Sequence, residues 1–77
     1  MMLRIISSDG ILFDGEVKRV TLPGSLGSFT VLENHASLLS TLTVGELEYV
    51  AGGESVNIAI DGGFADINNN LVSVCLS

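Results

Sequence analysis

The chain contains no tryptophan, one histidine, one cysteine and only three bases, Arg4, Lys18 and Arg19. Each shortage closes a class of function. Three bases against nine carboxylates leave a net charge of -6. That balance opposes binding to nucleic acid, where affinity comes chiefly from Lys and Arg displacing counterions from phosphates. It also disfavours direct insertion into anionic lipid, whereas a basic protein partner suits it better. A single cysteine, Cys75, cannot close an internal disulfide, which agrees with a reducing compartment. In the alternating run Leu71-Val72-Ser73-Val74-Cys75-Leu76 it reads as a small buried hydrophobe. No apolar run approaches the ~18 residues of a spanning helix and no charged leader is legible, so a soluble chain is expected.

What is present is a small, apolar chain: 77 residues, 47% of them hydrophobic. This predicts one domain over residues 1–77, burying roughly 60% of the surface of its unfolded chain. Apolar periodicity is close to two nearly everywhere, as in Leu3, Ile5 against Arg4, Ile6, or Val56, Ile58, Ile60 against Asn57, Ala59. Between the runs lie Asp9-Gly10, Asp14-Gly15, Pro23-Gly24, Gly52-Gly53, Asp61-Gly62-Gly63 and Asn68-Asn69-Asn70, each able to reverse the chain within a few residues. Strands are expected near 3–8, 11–13, 16–22, 28–32, 38–43, 46–51, 55–60, 63–67 and 71–76. The pair 46–51 and 55–60 makes the best-defined hairpin. No segment carries helical periodicity with caps. The fold class is therefore all-β: a two-sheet antiparallel β-sandwich of nine or ten short strands with essentially no helix.

The stretch GSFTVLENHASLL holds the one histidine, His35, with Glu33 and Ser37 two residues to either side. In an extended segment, residues two apart share a face but stand roughly 6.5 to 7 Å apart, too far for a nucleophile–base pair. No catalytic residue is assigned. One histidine and one distant cysteine do not make a zinc site, and no Asp-x-Asp-x-Asp-Gly loop appears for calcium, so no metal and no cofactor is expected. Gly24-Ser25-Leu26-Gly27-Ser28 lacks the lysine and the following helix of a phosphate cradle. Surface recognition remains, carried by His35, Ser37, Ser40 and the Pro23–Ser28 loop at an end of the sandwich.

The residues GSFTVLENHASLLSTLTVGELEYV followed by NIAIDGGFADINNNLVSVCL resemble the N-terminal domain of the epsilon subunit of F-type ATP synthases. The matching positions are Gly27, Phe29, Val31, His35, Ala36, Leu38, Leu39, Gly45, Leu47, Gly62, Gly63, Asn70, Val72 and Val74, and the likeness extends to Phe13-Asp14-Gly15 and Val17-Lys18-Arg19-Val20. Departures are Glu33-Asn34 before the histidine and Ser37 where the family commonly has proline. In the family a helical hairpin that brakes ATP hydrolysis often follows this domain; no residue here matches it, so neither braking nor nucleotide binding is carried over.

The resemblance implies a ten-stranded sandwich acting as a non-catalytic rotor subunit in the central stalk of a proton-translocating synthase. Such a subunit ties gamma to the c-subunit ring. It implies that Ser7, His35 and Ser40 lie on or near the gamma-facing side, and that Ser25, Leu26, Gly27 and Ser28 face the membrane ring. Family members often carry a carboxylate at the position of Ser28, a charge that Glu33 would have to supply. The implied location is peripheral, on the cytoplasmic face of a bacterial inner membrane. The rival expectation is an unrelated β-sandwich binding a peptide or a carbohydrate. Sugar binders usually expose aromatic platforms, and this chain has one Tyr and three Phe.

Overall fold

In the computed structural model, which describes residues 1–77, strands form where the two-residue alternation holds. They are β1 (Met2–Ser7), β2 (Gly10–Glu16), β3 (Arg19–Gly24), β4 (Gly27–Leu32), β5 (Leu38–Leu42), β6 (Gly45–Ala51), β7 (Glu54–Ile60), β8 (Gly63–Asn68) and β9 (Leu71–Leu76). There is no helix.

Pairing runs β2-β1-β9-β8-β5 and then β3-β6-β7, with β4 on the other edge of β3. The step between β5 and β3 is the single pairing Gly24–Leu42. There the ladder folds over on itself, giving a five-stranded sheet (β2-β1-β9-β8-β5) stacked on a four-stranded one (β4-β3-β6-β7). Leu3, Ile5, Leu42, Ala65, Ile67, Val72 and Val74 from the first meet Val20, Leu22, Val31, Leu47, Tyr49 and Ile60 from the second in one buried cluster. No polar side chain is buried in it. Removing each of the Val, Leu and Ile side chains among them from water stabilises the fold by roughly 1.5–3 kcal/mol before entropy is counted.

Two expectations are corrected. Every pairing was expected to be antiparallel, but β1 runs parallel to β9, Leu3 opposite Val72 and Ile5 opposite Val74. And Asp14-Gly15 is not a turn. It lies inside β2, Asp14 opposite Arg4 and Gly15 opposite Leu3, and the chain turns instead at Val17-Lys18. Gly15 is there for room. A Cβ on it would stand 3.1 Å from the ring of Phe13, which packs on Tyr49 of the other sheet with ring centroids 4.3 Å apart. The pairing also slips between Ile5–Phe13 and Ile6–Ile11, leaving Leu12 as the extra residue of a β-bulge on this edge.

Candidate protein-docking site

β4 and β5 are the last strands on the same side of the two sheets. β4 pairs only with β3, and β5 pairs along its length only with β8, so both carry an unpaired edge. Between them opens an apolar groove of about 850 Å³ lined by Leu26, Gly27, Ser28 and Phe29 on one wall and Leu38 to Thr41 with Phe64 on the other.

The wall at the β3–β4 turn is set by backbone geometry. Gly24 pairs with Gly27, leaving Ser25 and Leu26 as a two-residue turn, and Gly27 takes φ 131°, which only glycine adopts without strain. The turn is strapped to β5: the Ser25 amide donates to the Thr41 carbonyl at 3.0 Å, and the Thr41 hydroxyl donates to Ser25 Oγ at 2.9 Å. Leu26 at its tip is fully exposed. Of the four residues expected to face a membrane ring, Leu26, Gly27 and Ser28 thus share a groove with Ser40, a residue expected on the other, gamma-facing side.

The remaining two lie apart. Ser7 ends β1, its Oγ accepting from the Asp9 amide at 3.3 Å. His35 lies beyond the opposite end, beside Asn34 and Asn70 where β1 and β9 begin. β1 alone separates the two ends by roughly 16 Å at a rise of about 3.3 Å per residue. Asn34 takes φ 65°, and its amide donates to Asn70 Oδ1 at 2.6 Å, which fixes how the chain enters His35. The imidazole Nδ1 is 2.6 Å from the Ala36 carbonyl oxygen. A carbonyl only accepts, so Nδ1 is the donor in this contact.

No base–nucleophile arrangement surrounds His35. Glu33 lies 4.0 Å from the amino terminus, and the Ser37 hydroxyl donates to Asn68 at 3.0 Å; neither touches the ring. Glu33 likewise lies just past the end of β4 whereas Ser28 is near its start, so the two stand at opposite ends of that strand. No group of three His, Cys, Asp or Glu side chains converges on a point that could hold a metal ion.

The family of the ATP synthase delta/epsilon chain β-sandwich domain matches residues 1–77, the entire chain. The chain belongs to that family. The ATP synthase epsilon chain of Leptospira borgpetersenii is 44% identical over 70 residues, covering 91% of this chain and 55% of the relative. That of Synechocystis sp. is 38% identical over all of this chain and 57% of its own length. This delta/epsilon-family chain thus spans little more than half the length of the curated relatives it matches. A chain in the cryo-EM structure of the Euglena gracilis mitochondrial ATP synthase, OSCP/F1/c-ring, superposes with a TM-score of 0.91 at 28% identity, over 99% of this chain and 49% of the other. A chain of the Tetrahymena thermophila mitochondrial central stalk/c-ring has the same fold, with a TM-score of 0.82 at 18% identity.

Sequence reasoning about this family member missed Phe64 and the wall formed by Leu38 and Leu39. The signal was present: two consecutive leucines in a strand must point to opposite faces, so one of them faces out. Leu39 is that residue, 71% exposed.

Proposed function

We propose that the chain serves as a non-catalytic rotor element in the central stalk of an F-type ATP synthase, joining the gamma subunit to the c-subunit ring. The observation that carries this reading is the match of the delta/epsilon β-sandwich family to every residue of the chain, together with the near-complete superposition on a chain of an assembled synthase. The physics of the fold suits the task. Two sheets with 40 backbone hydrogen bonds within their strands and a core free of buried charge resist shear while presenting fixed faces to their neighbours. His35, with Ser7 and Ser40, is assigned to the contact with gamma, and the Ser25–Ser28 turn to the contact with the ring. The chain acts as a peripheral part of the membrane-bound complex, on the cytoplasmic face of a bacterial membrane.

The direct test is to add the purified chain to bacterial membranes whose synthase has been stripped of its own epsilon chain. Saturable co-sedimentation is expected. Replacing His35 by Asp or Arg is expected to weaken it about tenfold, because a charge would be buried unpaired at the contact, with the thermal midpoint of the free chain unchanged. Failure of the wild-type chain to co-sediment would remove the reading.

A further inference from the structure

Three Asp-Gly pairs occur in the chain, Asp9-Gly10, Asp14-Gly15 and Asp61-Gly62. Their intrinsic chemistry is the same and their surroundings are not. An aspartate followed by glycine can close on itself. The glycine nitrogen attacks Cγ of the aspartic acid, the new N–C bond forms, and a carboxyl oxygen leaves as water with the amide hydrogen, giving a succinimide ring. Water then adds to one of the two ring carbonyls. Opening at one restores aspartate; opening at the other leaves isoaspartate, with the backbone running through Cγ and the α-carboxylate as the branch. One water leaves and one enters, so mass and oxidation state are unchanged. Glycine permits the attack because no Cβ shields its nitrogen. The fold decides whether the carboxyl can swing over that nitrogen.

At Asp14-Gly15 the swing is blocked. Both residues lie inside the β1–β2 ladder, opposite Arg4 and Leu3, with rungs before and after. The Asp14 carboxylate is held by Arg4 at 3.3 Å, and a Cβ on Gly15 would stand 3.1 Å from the Phe13 ring. Asp61-Gly62 is confined in another way. Gly62 is buried, its carbonyl accepts from the Ser77 amide at 3.1 Å, and a Cβ on it would stand 3.4 Å from the Leu42 carbonyl oxygen. Asp9-Gly10 meets none of this. Ser8, Asp9 and Gly10 are all exposed, no cation lies within ion-pair distance of Asp9, and a Cβ on Gly10 would have nothing within 4 Å. The one side-chain bond at this turn runs from the Asp9 amide to Ser7 Oγ at 3.3 Å and leaves the carboxyl free. Ser7–Gly10 is the last rung of its ladder, where pairing opens at least cost.

We propose that Asp9-Gly10 is a site of spontaneous aspartate isomerisation, and that the fold protects the other two pairs. The inference goes beyond the rotor reading and does not depend on it. Its consequence is local. Isoaspartate adds one carbon to the backbone of a turn with only Ser8 and Asp9 between the paired strands, so the Ser7–Gly10 rung no longer closes in the same register. β1 keeps its pairing with β9, and the core is untouched. An aged chain thus differs from a fresh one at the turn beside Ser7 alone.

The test is to hold the folded chain at neutral pH and physiological temperature for several weeks, beside a sample unfolded in guanidinium chloride. A protease that cuts before aspartate and not before isoaspartate, followed by mass spectrometry, reads each converted site as an uncut peptide of unchanged mass. In the folded chain, conversion at Asp9 is expected to exceed that at Asp14 and at Asp61 by about tenfold or more, because those two must first open locally. In the unfolded chain the three are expected to agree within about threefold, since only the local sequence then matters. Hydrogen exchange at the Gly10 amide is expected to be faster in the aged folded chain than in the fresh one. Equal conversion at the three pairs in the folded chain would overturn the selection by the fold. Faster conversion at Asp14 or Asp61 would overturn the assignment to Asp9. An Asp9 that converts in guanidinium chloride and stays intact in the folded chain would show that the turn protects it, and the proposal would fall.

Discussion

Gly63 shows how one atom can set a local backbone. It holds φ 141°, and a Cβ there would run into the Cys75 carbonyl across the β8–β9 pairing. Gly52, at φ 57° in the β6–β7 turn, has only open space beside it. Gly63→Ala therefore combines strain with collision and is expected to cost about 3 kcal/mol or more, while Gly52→Ala costs about 1 kcal/mol from the left-handed backbone alone. Urea denaturation of the two variants measures the contrast; equal losses would mean that β8 and β9 shift apart freely. Against a total of about 4–12 kcal/mol expected for a domain of this size, the first loss is large. At this scale the sequence was partly legible. The Asp61-Gly62-Gly63 reversal announces itself, but that Gly63 lies against Cys75 depends on a pairing between strands. The same holds for His35: its position in a loop was readable, whereas its bond to Ala36 and its distance from Ser7 were not.

Among the elements, the hairpin of β6 and β7 needed only local information, since Gly52-Gly53 forces the turn and alternation fixes the register. β1 and β9 are the opposite case. Their parallel pairing joins the two ends of the chain, and no pattern within either strand specifies it. Asp14-Gly15 misled for a related reason. The dipeptide permits a turn, but Arg4 across the ladder and the Phe13 ring beside it make strand the better use of both residues. The groove between β4 and β5 was hidden because it arises from two edges brought together by the fold at Gly24–Leu42. Between the elements one small clamp stands out. Asn70 in the β8–β9 turn accepts from the Asn34 amide at 2.6 Å and donates to Asn34 Oδ1 at 3.1 Å, tying the exit of β4 to the other sheet. Asn70 also has φ 60°. Asn70→Gly keeps that backbone accessible and deletes only the clamp, so a loss of about 1–2 kcal/mol is expected, with faster hydrogen exchange at the Asn34 amide. Unchanged exchange there would mean that the loop before His35 is held by other contacts.

The molecule as a whole is a body about 25 × 24 × 18 Å carrying a net charge of -6. Its three ion pairs absorb Arg4, Arg19 and the amino terminus, leaving Lys18 as the one basic side chain without a carboxylate in reach. Such a surface repels itself and attracts cationic partners over distances set by the Debye length, about 30 Å at 0.01 M salt and 8 Å at 0.15 M. The two effects respond to salt in opposite senses. Screening the self-repulsion should raise the unfolding free energy slightly, and screening the long-range attraction should slow association with a stalk partner. Raising sodium chloride from about 0.02 to 0.3 M is therefore expected to reduce the association rate with stripped F1 several-fold while the urea midpoint holds or rises. Stopped-flow mixing and equilibrium unfolding in the same buffers read the two quantities separately. An association rate indifferent to salt would show that the partner surface is not basic.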